Sequence, residues 1–276
     1  MKKLLILALA TLPVLFACNK SDSQSGFAST PKFDKNSAKI VISTPIQVTT
    51  KGNQTVSLWE INFLRSGRYV AEAEMFTKAD AEIVILAGTY VMEGENYKVS
   101  GDLNTVISTT SNSITIGGTT SNATVTHSNI TPGSTQDKIS RTWKLDFMLL
   151  SFDKMGANVR FDSINKAVDR IKATDGVNLT SDIETSLRNH EISEISIDNG
   201  EICVTFQNAQ PYKGAFNVSG NSFSYDFSGV MDGNLFNAKA SGSIEFSDGQ
   251  AIVSLTLNSD IQGLGNGSAK IYLKEV

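Results

Sequence analysis

Two cysteines, two histidines and 28 acidic residues are the groups with intrinsic reactivity in this 276-residue chain. His127 and His190 stand alone, neither in a metal-binding spacing, and two histidines cannot make a three-histidine zinc centre. No Gly-x-Ser-x-Gly elbow, phosphate loop or calcium-loop series occurs; "DGVNLTSDIE" (175–184) carries acids and a glycine in the wrong order. Carboxylate pairs can hydrolyse glycosides, but the pattern singles out no pair. Cys203 lies in "EICVTF" with Ile202, Val204 and Phe206 on the opposite face, and packing accounts for it. The expectation is no catalytic residue, no metal and no cofactor, with both histidines structural. Cys18 differs: it ends an apolar run and opens a polar string.

Residues 1–17 begin Met-Lys-Lys, continue apolar from Leu4 to Phe16 and end on Ala17, which is the layout of a secretory signal peptide. The run is shorter than the roughly 20 residues that a membrane-spanning helix needs. Leu15-Phe16-Ala17-Cys18 resembles the bacterial lipobox, which implies cleavage before Cys18 and lipid attachment to its sulfur. Residues 18–37, rich in Ser, Asn, Lys and Asp, read as a lipidated flexible tether that cannot build a core. Asn19 stands where the enterobacterial inner-membrane retention signal has aspartate. "KSD" (20–22) is similar to the surface-export signals of Bacteroidota lipoproteins, with one acid only. These resemblances imply the outer membrane, with the periplasmic and surface-facing leaflets both open.

Removal of residues 1–17 takes away Lys2 and Lys3 and leaves 22 basic residues (24 less 2) against 28 acidic, a balance of −6. That argues against nucleic acid as a partner. The remaining 259 residues (276 less 17) suffice for one large β domain or two modest ones. Cys203 is then the one cysteine left, so no internal disulfide forms.

Period-two alternation dominates the chain. "SFSYDFS" puts Phe223, Tyr225 and Phe227 on one face; "AKASGSIEF", "IVSLTLN" and "AKIYLK" continue the rule, with Asn199-Gly200, Asp232-Gly233 and Asp248-Gly249 as hairpin turns. "WEINF" points Trp59, Ile61 and Phe63 to one side, and "RYVAEAEM" returns with Tyr69, Ala71, Ala73 and Met75 inward. Gly88, Tyr90, Gly94 and Tyr97 share their spacing with Gly214, Phe216, Gly220 and Phe223, a hint of duplication. The organisation read from this is an N-terminal antiparallel β domain at 38–128, a Pro-Gly-Ser-Thr linker at 129–137, and a C-terminal β domain at 138–276. The second domain opens on "RTWKLDFMLLSF", with Trp143, Leu145, Phe147 and Leu149 on one face. Two helices follow, near 163–172 (Ile164, Ala167, Val168, Ile171 at helical spacing, started by Asp162 or Ser163) and 181–190 (a Ser181–Glu184 capping box leading into Leu187).

A tryptophan strand, two short helices and a meander resemble the lipocalin-like (calycin-like) domains of uncharacterised Bacteroidota lipoproteins; lipocalins proper open Gly-x-Trp, where this chain has Arg141-Thr142-Trp143 after Ser140. The resemblance implies a closed or half-closed barrel. Trp143, Phe147, Phe223, Tyr225 and Phe227 are then candidates to line an apolar cavity, with core filling as the other reading. Tyr272, between Lys270 and Lys274, is a single aromatic on a polar face. Asp162-Ser163-Ile164 resembles a Bacteroidota O-glycosylation signal and also reads as a helix cap. The leading expectation is a membrane-anchored, non-enzymatic envelope protein that binds a small apolar or amphipathic molecule. The alternatives are a surface scaffold or adhesion module that recognises protein or glycan, and a hydrolase with unidentified carboxylates.

Overall fold

In the computed structural model, residues 37–76, 81–127, 130–231, 234–257 and 263–276 are described, with backbone alone at 227–231 and 234–238. The signal and tether stretches, the Asp232-Gly233 turn and the Phe227 side chain lie outside the described residues. The protein is mainly β. The described chain falls into two compact units: one runs to Arg141 and includes Ser196–Asn199, and the other holds Thr142–Ile195 and Gly200–Val276. The segment read as a linker contains a short helix, α1 (Thr135–Ile139), and the units part after it, between Arg141 and Thr142.

The first unit is a closed antiparallel barrel of eight strands in sequence order: β1 (Ala38–Thr49), β2 (Thr55–Phe63), β3 (Arg68–Phe76), β4 (Ala81–Glu93), β5 (Asn96–Gly101), β6 (Thr105–Thr109), β7 (Ser113–Ile116) and β8 (Thr119–His127). Closure runs through β1, whose Ala38–Ile42 pair with β8. Alternation along β3 buries Tyr69, Ala71 and Ala73 completely, as the sequence implies. In β2 the phase slips. A bulge between Leu58 and Glu60 leaves Trp59 half-buried, while Leu58, Ile61 and Phe63 share the interior, so the expected Trp59–Ile61–Phe63 face is corrected. Rings fill the barrel: Phe63 stacks on Tyr97 at 3.7 Å between centroids, and Tyr90 meets both edge-on at 5.0 and 5.5 Å. Two of the buried phenols have backbone partners, Tyr90 Oη donating to the Leu64 carbonyl and Tyr69 Oη accepting from the Leu103 N–H, both at 2.8 Å.

The second unit is also a meander: β9 (Thr142–Phe152), β10 (Gly156–Phe161), β11 (Ile192–Asp198), β12 (Glu201–Phe206), β13 (Tyr212–Ser219), β14 (Ser222–Met231), β15 (Asn234–Ser247), β16 (Gln250–Leu257) and β17 (Gly267–Glu275). β17 pairs back onto β9, so eight strands close a barrel, with β10 an extra strand beside β9. The helices α2 (Ile164–Lys172) and α3 (Ser181–Asn189) therefore follow a β9–β10 hairpin. Asn199-Gly200 and Asp248-Gly249 have the positive φ angles expected of tight hairpins.

The spacing shared by the two halves has a topological counterpart. In each barrel the fourth strand pairs with the fifth through a two-residue turn, at Gly94 and at Gly220. The registers coincide: Glu93↔Asn96, Tyr90↔Val99 and Gly88↔Gly101 in the first barrel, Ser219↔Ser222, Phe216↔Tyr225 and Gly214↔Phe227 in the second. Each barrel also seats an aromatic ring on a strand glycine. A Cβ on Gly88 would meet the Ser100 carbonyl and the Tyr69 ring; one on Gly242 would meet the Ser254 carbonyl and the Phe223 ring. Such glycines let strands approach closely enough to curve, and the ring covers the exposed backbone.

Two local expectations are corrected in the second unit. A bulge at Asp146, seen where Tyr272 pairs with Phe147 but Leu273 with Leu145, shifts the phase of β9. Trp143 and Leu145 face inward, Met148, Leu150 and Phe152 continue that face, and Phe147 and Leu149 turn outward. At α3 the cap is Thr180 without a side-chain hydrogen bond; Ser181 Oγ bonds the Asp182 carboxylate instead, and Glu184 pairs with Lys172 and Arg188, so no capping box forms. Ser163 does cap α2, accepting from the Lys166 N–H at 2.7 Å, and Ile164, Ala167, Val168 and Ile171 are buried as their spacing implies.

Candidate functional site

The inner face of the second barrel carries most of the predicted ligand-lining residues. Trp143 is fully buried on β9, Phe223 and Tyr225 are 4% and 5% exposed on β14, and Phe216 joins them from β13. Phe216, Phe223 and Tyr225 form an interior ring stack, at 5.6 and 6.3 Å between centroids. Phe147 is not part of this set, because the bulge places it on the outer face, stacked on Tyr272 at 4.0 Å with the Arg160 guanidinium 3.5 Å from its ring centre.

Beside that stack the inner face changes character. β15 presents Ala240 opposite Tyr225 and Gly242 opposite Phe223, while β16 presents Val253 opposite Ile244 and Ala251 opposite Phe246. Ile244, Ala251 and Leu255 are buried, yet Ala240, Gly242, Val253 and Phe246 on the same face are only half-buried. These four positions keep partial exposure on a face whose other named side chains are buried and apolar. Alternation located this face but could not show which of its positions stay accessible.

The titratable groups read as structural. His190 is buried; its Nδ1 lies 2.6 Å from the Ser186 carbonyl, which can only accept, so Nδ1 carries a proton, and Nε2 shares a 2.7 Å hydrogen bond with Tyr212 Oη. Both ring nitrogens are thus engaged. His127 Nδ1 contacts the Ser37 carbonyl at 3.3 Å. Burial pushes the Cys203 thiol up to about 12, which leaves no thiolate nucleophile at neutral pH.

Two acids sit in unusual surroundings. Glu191, 3% exposed, accepts from the Asn165 N–H at 3.2 Å and from Ile164, supplementing the cap of α2; its Oε1 has no partner among the described residues, and burial raises its pKa to about 7. In the first unit, Arg65 is buried between Asp137 and Asp198. Its Nη1 donates to Asp137 Oδ1 at 3.0 Å, and its backbone N–H donates to Asp198 Oδ2 at 2.7 Å. Burial works to raise both carboxyls. At Asp137 the Gly133 N–H and the charges of Arg65 and Arg141 outweigh burial and hold the group below the ordinary range; at Asp198 burial prevails. Ser37 Oγ and the Asn199 N–H also donate to Asp198, so the buried Arg65 charge lies between two hydrogen-bonded carboxyls.

On the outer face of the first barrel an open trough of about 520 Å³ lies over β4–β6, where Val91 and Val106 are 52% and 45% exposed on either side of the Lys98–Glu93 ion pair. No helix among the described residues is long and apolar enough to cross a membrane. No protein-family model matches the chain, and no curated protein or solved structure gives a match.

Proposed function

We propose that this chain is a membrane-anchored, non-enzymatic outer-membrane lipoprotein, held by lipid on Cys18, whose lipocalin-like second barrel binds a small apolar or amphipathic molecule. The observation that carries the ligand reading is the contrast between the interiors: rings fill the first barrel, whereas inward-facing Ala240, Gly242, Val253 and Phe246 in the second remain half-exposed beside an aromatic stack. An eight-stranded barrel is wide enough either to be filled by its side chains or to hold one small ligand, and this face is apolar throughout.

The test is a titration with the fluorescent amphiphile anilinonaphthalene sulfonate. The parent binds at one saturable site, and Ala240→Leu or Val253→Phe weakens binding tenfold or more while leaving the melting temperature unchanged or higher. Val106→Asp, on the first barrel, leaves the titration unchanged. No saturable binding, or equal binding by the space-filling variants, would overturn the ligand reading. The second reading, a scaffold that recognises protein or glycan, is favoured by the trough with Val91 and Val106 exposed, and it predicts that Val106→Asp is the damaging change.

A further inference from the structure

The bulge at Asp146 builds a strip on the outer face of the second barrel that the ligand reading does not use. Across β16, β17 and β9 the register aligns Ile252, Tyr272 and Phe147 in one row, and from the next row, where Arg160 of β10 pairs with Leu149, the Arg160 guanidinium reaches over the Phe147 ring. The adjoining row sets Lys274 directly opposite Lys144, and on the other side Lys270 pairs with Leu149. Lys270 and Lys274 are exposed and Lys144 is half-buried, and none of the three has an ion-pair partner among the described residues. Of the nearby acids, Asp162 is tied to Arg160 at 3.3 Å and Asp146 accepts from Gln250 Nε2 at 2.6 Å, while Glu245 flanks Ile252 at the end of the row. In a chain whose net charge is −4, three lysines without ion-pair partners around an aromatic pair are a local reversal of sign. Like charges directly opposite on paired strands destabilise a sheet, and an anionic partner removes that cost.

We infer that this strip docks on an anionic phospholipid headgroup surface. Sugar stacking needs a free ring face, and both faces of Phe147 are taken, by Tyr272 and by Arg160. Aromatic rings ringed by lysines and half-buried Leu149 and Ile252 match the composition of membrane-interface belts, with apolar bodies at the headgroup boundary and ammonium groups at the phosphates. The inference deepens the membrane-anchored reading: the acyl chain would bring this face to the bilayer, and the strip would orient the barrel on it.

The experiment uses the mature chain (18–276) carrying Cys18→Ser, so that no acyl group contributes, with vesicles of phosphatidylcholine alone or mixed with phosphatidylglycerol at about 0.15 M salt. The parent co-sediments with the anionic vesicles and not with the neutral ones. The triple variant Lys144→Gln/Lys270→Gln/Lys274→Gln binds about a hundredfold more weakly, at roughly fivefold per lysine. An equally discharged control, Lys51→Gln/Lys98→Gln/Lys172→Gln, keeps most of the binding. Lys144→Gln alone melts at or above the parent temperature, which separates lost docking from lost folding. Equal binding by the strip variant, equal binding to neutral vesicles, or retention by soluble heparin without vesicle binding would overturn the inference. Acyl incorporation at Cys18 is measured separately on the full chain, so failure of the anchor and failure of the strip give different results.

Discussion

Glu191 places a carboxyl at the N-terminus of α2 with one oxygen bonded and the other unpartnered in a buried site. Its pKa of about 7 lies above the ordinary carboxyl value of 4.5, because burial penalises the charged form. A raised acid contributes stability that is complete below the unfolded pKa and is lost as pH rises through the folded one, here between about pH 4.5 and 7. Denaturant unfolding at pH 5 and pH 8 should therefore show the parent losing on the order of 1–2 kcal/mol more than Glu191→Gln over that interval. The amide keeps an acceptor for the α2 amides and carries no charge. Identical pH dependence in parent and variant would show that this carboxyl is not stressed by its site.

Among the elements, β9 is the most instructive, because one extra residue decides what its aromatics do. Trp143 precedes the bulge and is fully buried; Phe147 follows it and lies outside. Trp143→Ala should then cost about 3–5 kcal/mol as a core truncation, and Phe147→Ala about 1 kcal/mol as the loss of an outer-face stack. Comparable losses at the two positions would place both in the core. The same contrast marks how far the sequence could be read. From β14 to β17 the described pairings run without a register shift, and the inward face and the Asp248-Gly249 turn follow from alternation, whereas closure onto β9 was implied by the lipocalin resemblance alone. Where a bulge enters, period-two reading loses the face: it puts Trp59 with Ile61 and Phe63, and it puts Phe147 and Leu149 with Trp143, since no residue type announces the slip. β10 gives no period-two signal because "GANVRF" is short and lacks a continuous apolar face. The capping box at Ser181 failed because Glu184 has stronger partners in Lys172 and Arg188. The candidate site was legible as an apolar face around Phe223 and Tyr225. The accessible positions within it were not, because they depend on which small residue stands opposite which ring.

At the scale of the molecule, two eight-stranded meanders share topology and the register of their central hairpins but differ in what occupies the interior. The first packs Phe63, Tyr90 and Tyr97 into mutual contact, and its exposed apolar groups lie on the outer wall. The second lines one wall with rings, sets half-buried Ala240 and Gly242 opposite them and half-buried Val253 opposite Ile244 on the same face. Two barrels that each close their own sheet can divide into a packed support and a container, because neither needs the other to complete its strand pairing. The measurement that tests this division of labour most directly is native mass spectrometry of the mildly purified mature chain, with and without added envelope lipids, followed by solvent extraction. The account predicts one bound small molecule per chain, recovered in the extract and lost from Ala240→Leu. A clean unliganded mass under every condition would contradict it and move the function to the outer faces of the barrels.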